Sequence, residues 1–214
     1  MNQSTFESIV AQQVDAFALT PAYAKLQAQS LTLADYQNIL LTIFHQTQDS
    51  AATFALAAGF LPSDRFEARS YLMHHAEEEK LHWQWVIEDL ANTNYSGPDP
   101  RTEFPRTATA AYVAYNYSIA MRFPIGRLAI AATLESIGAR YGGESARRLM
   151  TQLNLQPNQV RFFEGHGDTD IGHTKDILDV LEKCALTPGE WRQMCHVSQV
   201  AGQLYRNMYA EHLQ

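Results

Sequence analysis

Residues 74–82 read HHAEEEKLH and residues 165–173 read GHGDTDIGH, and five of the chain's eight histidines lie in these two stretches. Within them, His75, Glu79 and His82 share one spacing with His166, Asp170 and His173: an imidazole, a carboxylate four residues on, and an imidazole three beyond that. On an α-helix, steps of about 100° bring positions i, i+4 and i+7 within roughly 60° of one another, so each stretch presents an imidazole–carboxylate–imidazole row in one direction. A third segment, AIAATLESIGA at residues 129–139, sets Glu135 inside an apolar run. An unpaired carboxylate there costs several kcal/mol or protonates, and a metal ion held between the segments removes that cost.

The rest of the chain carries helical periodicity, and no alternating run of β-branched and polar residues is long enough for a strand. The expected fold class is all-α, with about seven helices. The first covers residues 6–17, and a short one follows Pro21. Thr32 and Asp35 have the form of a helix N-cap with an acid three residues on, opening a long helix that ends near Gly59. After Pro62 and Ser63 comes the helix with the first ligand row, running to about Ala91, and then an irregular connection, NTNYSGPDPRTEFP at residues 92–105. Residues 107–121 form a further helix, and Pro124 kinks or restarts it before the Glu135 segment, which Gly142 and Gly143 end. Pro157 opens the helix with the second row, and Thr187 with Glu190 forms a capping box for the last one.

Composition narrows the function. The 214 residues are 46% hydrophobic, enough for one domain spanning residues 1–214. A formal charge of −7 and the lack of any Lys/Arg cluster argue against nucleic acid as a partner. No window reaches the 18 apolar residues of a membrane span, and MNQSTFESIVAQQ lacks a signal peptide's basic start and apolar stretch, so a cytoplasmic location and no membrane partner are expected. Cys184 and Cys195 are expected to be free thiols. A small-molecule substrate is the expected partner, and a homodimer is compatible with the sequence.

Glu79-x2-His82, Glu135 and Asp170-x2-His173 come close to the pattern by which four-helix carboxylate proteins hold two metal ions. Mixed nitrogen and oxygen ligands with open positions suit iron or manganese, iron first. A single Glu-x-x-His is common on solvated helix faces; a second copy in matching phase, with a buried Glu between them, favours a metal. In that phase Glu77, Glu78 and Lys80 read as solvated, as does His74. Tyr112, Tyr115 and Tyr117 read as packing residues, and His196 and His212 as surface residues. Gly165 and Gly167 are either weaknesses in their helix or marks of close approach by another group.

The segments HAEEEKLHWQWVIEDL, ATLESIGA and FFEGHGDTDIGHTKDIL resemble the haem-oxygenase-like di-iron oxidases and oxygenases, also called iron-containing redox enzymes, within the TenA/PqqC-like fold superfamily. The resemblance covers residues 36–209 and implies a haem-oxygenase-like helical bundle. It implies iron ligands Glu79, His82, Glu135, His166, Asp170 and His173, with Glu79, Glu135 and Asp170 as the catalytic carboxylates. The family's earlier helix-borne Glu is missing: FHQTQDS stands at residues 44–50, which leaves the second of two irons uncertain and makes His75 and His45 further candidate ligands. The implied activity is O2 activation at a reduced iron pair, oxidising a small acid or amine by decarboxylation, desaturation, C–C cleavage or N-oxygenation. Residues 123–134 with Tyr141, Phe162 and Phe163 are candidates to line the pocket, and Arg127, Arg140 and Arg161 to anchor the substrate. Alternatives are a metal-dependent hydrolase and a non-catalytic metal- or ligand-binding protein of the same fold. Relatives that degrade thiamin use a nucleophilic Cys, and neither cysteine lies near the inferred site in sequence. A haem-degrading relative needs a proximal His on an early helix, and residues 1–30 contain none.

Overall fold

The apolar run around Glu135 becomes the central helix of the molecule. In the computed structural model the order is α1 (Gln3–Phe17), α2 (Pro21–Gln27), α3 (Leu33–Thr47), α4 (Ser50–Phe60), α5 (Phe66–Glu79), α6 (His82–Asn92), α7 (Thr107–Arg122), α8 (Gly126–Leu153), α9 (Arg161–Lys183) and α10 (Pro188–Glu211). The structure describes residues 1–211, apart from the side chains of residues 167–171; Asp170 and His212 therefore lie outside the described residues. Residues 126–133 of α8 are all buried, as expected of a helix that is apolar on every face. Around it pack α9, α10, α1, α7 and α4. The Thr133 and Ser198 hydroxyls, 2.8 Å apart, tie α8 to α10 in the interior.

The all-α expectation holds, and two long helices expected from the sequence are each divided. The segment from Asp35 to Gly59 breaks after Thr47, whose hydroxyl donates to the Ile43 carbonyl at 2.8 Å. Such back-bonding competes with the helix ladder and bends it. The helix with the first ligand row breaks at Lys80 and Leu81. There the Trp83 indole donates to the Lys80 carbonyl at 3.1 Å, and the Gln84 amide turns to Leu81 instead, at 2.9 Å. Conversely, α8 does not stop at Gly142 and Gly143 but continues to Leu153, where Asn154 takes a left-handed conformation, φ 54° and ψ 44°. Both capping boxes form: Thr32 with Asp35, and Thr187 with Glu190. Among the described residues no helix is long and apolar enough to cross a membrane, and both cysteines are free thiols.

Pro157 opens a short 3-10 turn (Pro157–Gln159), and α9 itself starts at Arg161. The start is set from another helix. Asp89 of α6 is fully buried, and its two carboxylate oxygens accept the Arg161 and Phe162 amides, each at 3.0 Å. Burial pushes this carboxyl up to about 6, against the opposing pull of the two amides. The turn is pinned as well, since Tyr36 donates to the Gln159 carbonyl at 2.7 Å and Asn92 to that of Asn158 at 2.7 Å. Asp89 thus fixes α9 against α6, the helix that begins with His82.

Replacing Asp89 with Ala leaves two buried amides without acceptors, a loss of about 2–3 kcal/mol. For a chain of this length the melting temperature is expected to fall by roughly 5–10 °C. Thermal unfolding followed by circular dichroism checks this, and an unchanged midpoint would show that the amides find other acceptors.

Candidate metal centre

Helix α5 buries Ala68, Leu72, His75 and Glu79, one stripe along its inner face. The row expected to point in one direction is shared between two clusters, divided between His75 and Glu79, while His82, beyond the break at Lys80 and Leu81, stays with Glu79. His75, from α5, meets Glu135 of α8 and His173 of α9; Glu79 and His82 meet His166 of α9. Each group has two imidazoles and one carboxylate, and the ligand atoms of each lie within 4.8 Å of one another. The groups adjoin, His75 Nε2 of the first lying 3.9 Å from Glu79 Oε1 of the second.

In the first group His75 Nε2 is 3.1 Å from Glu135 Oε1, and His173 Nδ1 is 3.2 Å from Glu135 Oε2. The hydrogen bond that its imidazole donates to Glu135 holds His173 above its ordinary pKa, despite burial. Tyr71 stacks on His75, and its hydroxyl lies 3.3 Å from His75 Nδ1. With the proton on Nδ1 and the phenol oxygen accepting it, the Nε2 lone pair faces Glu135. In the second group His82 Nδ1 is 3.0 Å from Glu79 Oε1. Burial on its own would raise the Glu79 carboxyl, but the His82 and His166 imidazoles hold it below its usual range. Burial pushes His166 below its ordinary pKa, and its Nδ1 donates to the Phe162 carbonyl at 2.8 Å, which directs Nε2 to act as a ligand.

Two buried nitrogens, His75 Nε2 and His82 Nδ1, have no hydrogen-bond partner among the described residues. Each nonetheless stands about 3 Å from a carboxylate oxygen, off the line of a hydrogen bond. Donors on adjacent positions of one octahedral shell, each about 2.1 Å from an ion, are roughly 3.0 Å apart. Orphaned nitrogens at that separation from carboxylates fit a shared metal shell, and the donor set of each group matches it.

Among the sequence candidates, His45 joins neither group. It is buried on α3 beside Phe44, its Nδ1 3.4 Å from the Gln48 amide, and burial lowers its pKa. Asp49 lies beside Tyr117. His74 is exposed, as expected. Glu78 reads as solvated in sequence, yet its Oε2 reaches within 3.6 Å of His173 Nε2. A helical wheel drawn for α5 alone contains no sign of this, because the contact comes from α9. Trp85 stacks on His82 with ring centroids 4.3 Å apart and stands edge-on to His166. Gly165 admits it: a Cβ there would lie 3.0 Å from the indole ring, so close approach is the reading that fits this glycine.

A cavity of about 120 Å³ adjoins both groups, with Glu79, Glu135 and His166 in its wall. Arg127, Tyr141, Phe162 and Phe163 line it too, and so does Gln46, whose Oε1 is buried without a hydrogen-bond partner among the described residues. Of the three arginines considered as anchors, Arg127 is the one in the cavity wall. Arg140 lies over Tyr141, and Arg161 pairs with Glu88 at the surface. The Arg127 guanidinium is buried 3.5 Å above the Phe54 ring centroid, and its Nε donates to Thr53 at 3.1 Å. Burial pushes its pKa down, and among the described residues no carboxylate pairs with it.

Several solved structures share this fold. A domain of unknown function with a haem-oxygenase-like fold from Shewanella denitrificans OS217 superposes with a TM-score of 0.89 at 22% identity, covering 99% of this chain and 92% of that one. A TenA homologue from P. horikoshii OT3 gives 0.79 at 10% identity, over 98% and 96% of the two chains. Haem oxygenase-1 from the cyanobacterium Synechocystis sp. PCC6803, in complex with haem, gives 0.74 at 14%, over 98% and 90%. These similarities establish the haem-oxygenase-like all-α fold. No curated protein matches the sequence. The model of one family, described as iron-containing redox enzyme, matches residues 38–205, and the chain belongs to that family.

Proposed function

We propose that the protein is a non-haem iron oxidoreductase that holds two irons, one in each histidine–carboxylate group, and uses O2 to oxidise a small organic acid. The observation that carries this reading is the pair of groups with two histidines and one carboxylate each, containing orphaned buried nitrogens. Two imidazoles and a carboxylate on one face of an ion, with positions left open, is the ligand set of non-haem Fe(II) oxygenases. His75, Glu135 and His173 would hold one iron, and Glu79, His82 and His166 the other. These residues would hold iron at the cavity wall, where it would supply electrons for O2 reduction and Lewis acidity.

The remaining chemistry belongs to the chain. Arg127 offers a buried positive charge to the cavity, and a substrate carboxylate satisfies it with charge-assisted hydrogen bonds. With divalent ions in both groups, the site carries further positive charge, which favours an anion over an amine as the bound species. The Gln46 amide oxygen accepts from an N–H or O–H on the same molecule. The apolar walls exclude water, and a volume near 120 Å³ is slightly below the roughly 150 Å³ that accommodates benzene, so the substrate is small. The fold's haem and thiamin chemistries find no support in these residues. Residues 1–30 contain no histidine, and neither cysteine lines the cavity.

Anaerobic Fe(II) loading followed by desalting is expected to leave close to two irons per chain, and subsequent O2 addition to be followed by its consumption. His75→Ala is expected to bring the iron content near one with helical content unchanged. Turnover supported by redox-inactive zinc would instead identify a hydrolase, and iron that is retained without O2 uptake a carrier. Arg127→Met is expected to keep both irons while weakening the binding of small carboxylic acids at least tenfold, the scale of one charged hydrogen bond. A panel of acids and matched amines, scored by perturbation of the Co(II)-loaded protein's visible spectrum, measures this. Equal affinity of wild type and variant for the acids would remove Arg127 from substrate recognition.

A further inference from the structure

Glu77, Glu78 and Glu79 follow one another on the last turn of α5, and their side chains are 69%, 39% and 9% exposed. Glu77 pairs with Lys80 at the surface, and Glu79 belongs to the second group. Glu78 stands between them in depth. Its Oε1 is 3.4 Å from Nε2 of His74, an imidazole open to solvent. Its other oxygen is 3.6 Å from His173 Nε2 and 3.9 Å from His75 Nδ1. Those two rings lead on to Glu135, at 3.2 Å and 3.1 Å. Metal-ligating side chains therefore form a continuous file from bulk solvent to the buried group. At its inner end His75, fully buried, carries one of the orphaned nitrogens.

We propose that His74 and Glu78 form an admission site through which a divalent cation reaches the His75–Glu135–His173 group. The inference rests on the reading of that group as a metal site. A hydrated cation cannot enter a buried shell in one step; it exchanges waters for protein ligands in turn. A carboxylate with one oxygen towards a solvated imidazole and the other towards two buried ones can take the cation outside and release it inside. The separations around Glu78, 3.4–3.9 Å, exceed the roughly 3.0 Å between donors that share a shell, so Glu78 is a ligand in transit rather than a resident one. The net charge of −7 favours the approach of cations to the protein, while Glu77 is already paired with Lys80.

The test is Co(II) uptake by the metal-free full chain, followed by visible absorbance after rapid mixing. Glu78→Gln is expected to slow uptake at least tenfold, with the final stoichiometry and spectrum of wild type; release to a chelator slows by the same factor, because a gate changes both directions equally. His74→Ala, at an exposed position, is expected to slow uptake by a smaller factor, and Glu77→Gln to leave it unchanged. Wild-type uptake rates in both Glu78→Gln and His74→Ala overturn the proposal. So does a lower cobalt end-point in Glu78→Gln, which would make Glu78 a resident ligand. Failure of the wild-type protein to bind cobalt overturns the metal-site reading itself, a result distinct from either of the others.

Discussion

A carboxylate at the centre of an apolar helix is the constraint on which this architecture depends. Glu135 sits on α8, and residues 126–133 of that helix are buried throughout. Imidazoles from two other helices converge on it, His75 from α5 and His173 from α9. That convergence sets where α5 and α9 must lie against α8. Asp89 supplies the second restraint by fixing the first residue of α9 from α6. Two buried acids, one answered by imidazoles and one by backbone amides, thus determine the relative placement of the four helices that carry the candidate ligands.

Much of this was legible in the sequence. The capping boxes at Thr32 and Thr187 fixed helix starts through local hydrogen bonds, and the repeated spacing of His, carboxylate and His marked the two candidate ligand helices. The helix interruptions were not legible. They arise where a Thr47 hydroxyl and a Trp83 indole take carbonyls that the ladder would otherwise use, and neither residue type is a breaker by propensity. The division of the first ligand row falls between His75 and Glu79, upstream of the second interruption, and was hidden because it depends on which residues of α8 and α9 each of them meets. Asp89 and Glu78 were missed because their partners lie on α9, far away in sequence. His45 shows the reverse case, a histidine among apolar residues that packs on α3 and joins neither group.

The cavity adds an asymmetry that ligand spacing alone does not contain. Its wall holds acids and an imidazole at one place and a buried guanidinium with no carboxylate partner among the described residues at another. A buried cation is expensive, and Glu79 and Glu135 offset that cost through space without pairing directly with Arg127, so its guanidinium keeps hydrogen-bonding capacity for an anion in the cavity. The stack of Phe54 beneath the guanidinium and the Thr53 hydrogen bond hold the group in place without neutralising it.

The graded depth of the three consecutive glutamates has a consequence for how this segment can vary. Chemically identical side chains at residues 77, 78 and 79 differ only in rotation about α5, and that rotation is set by Ala68, Leu72 and His75 facing the core. An insertion or deletion of one residue between Ala68 and Glu77 turns the three by about 100° relative to the anchoring stripe, so each carboxylate loses its depth although none is lost from the composition. Conservative substitutions on the outer face of α5 are therefore tolerable, whereas a change in its length is not. In this stretch the protein's information resides in register.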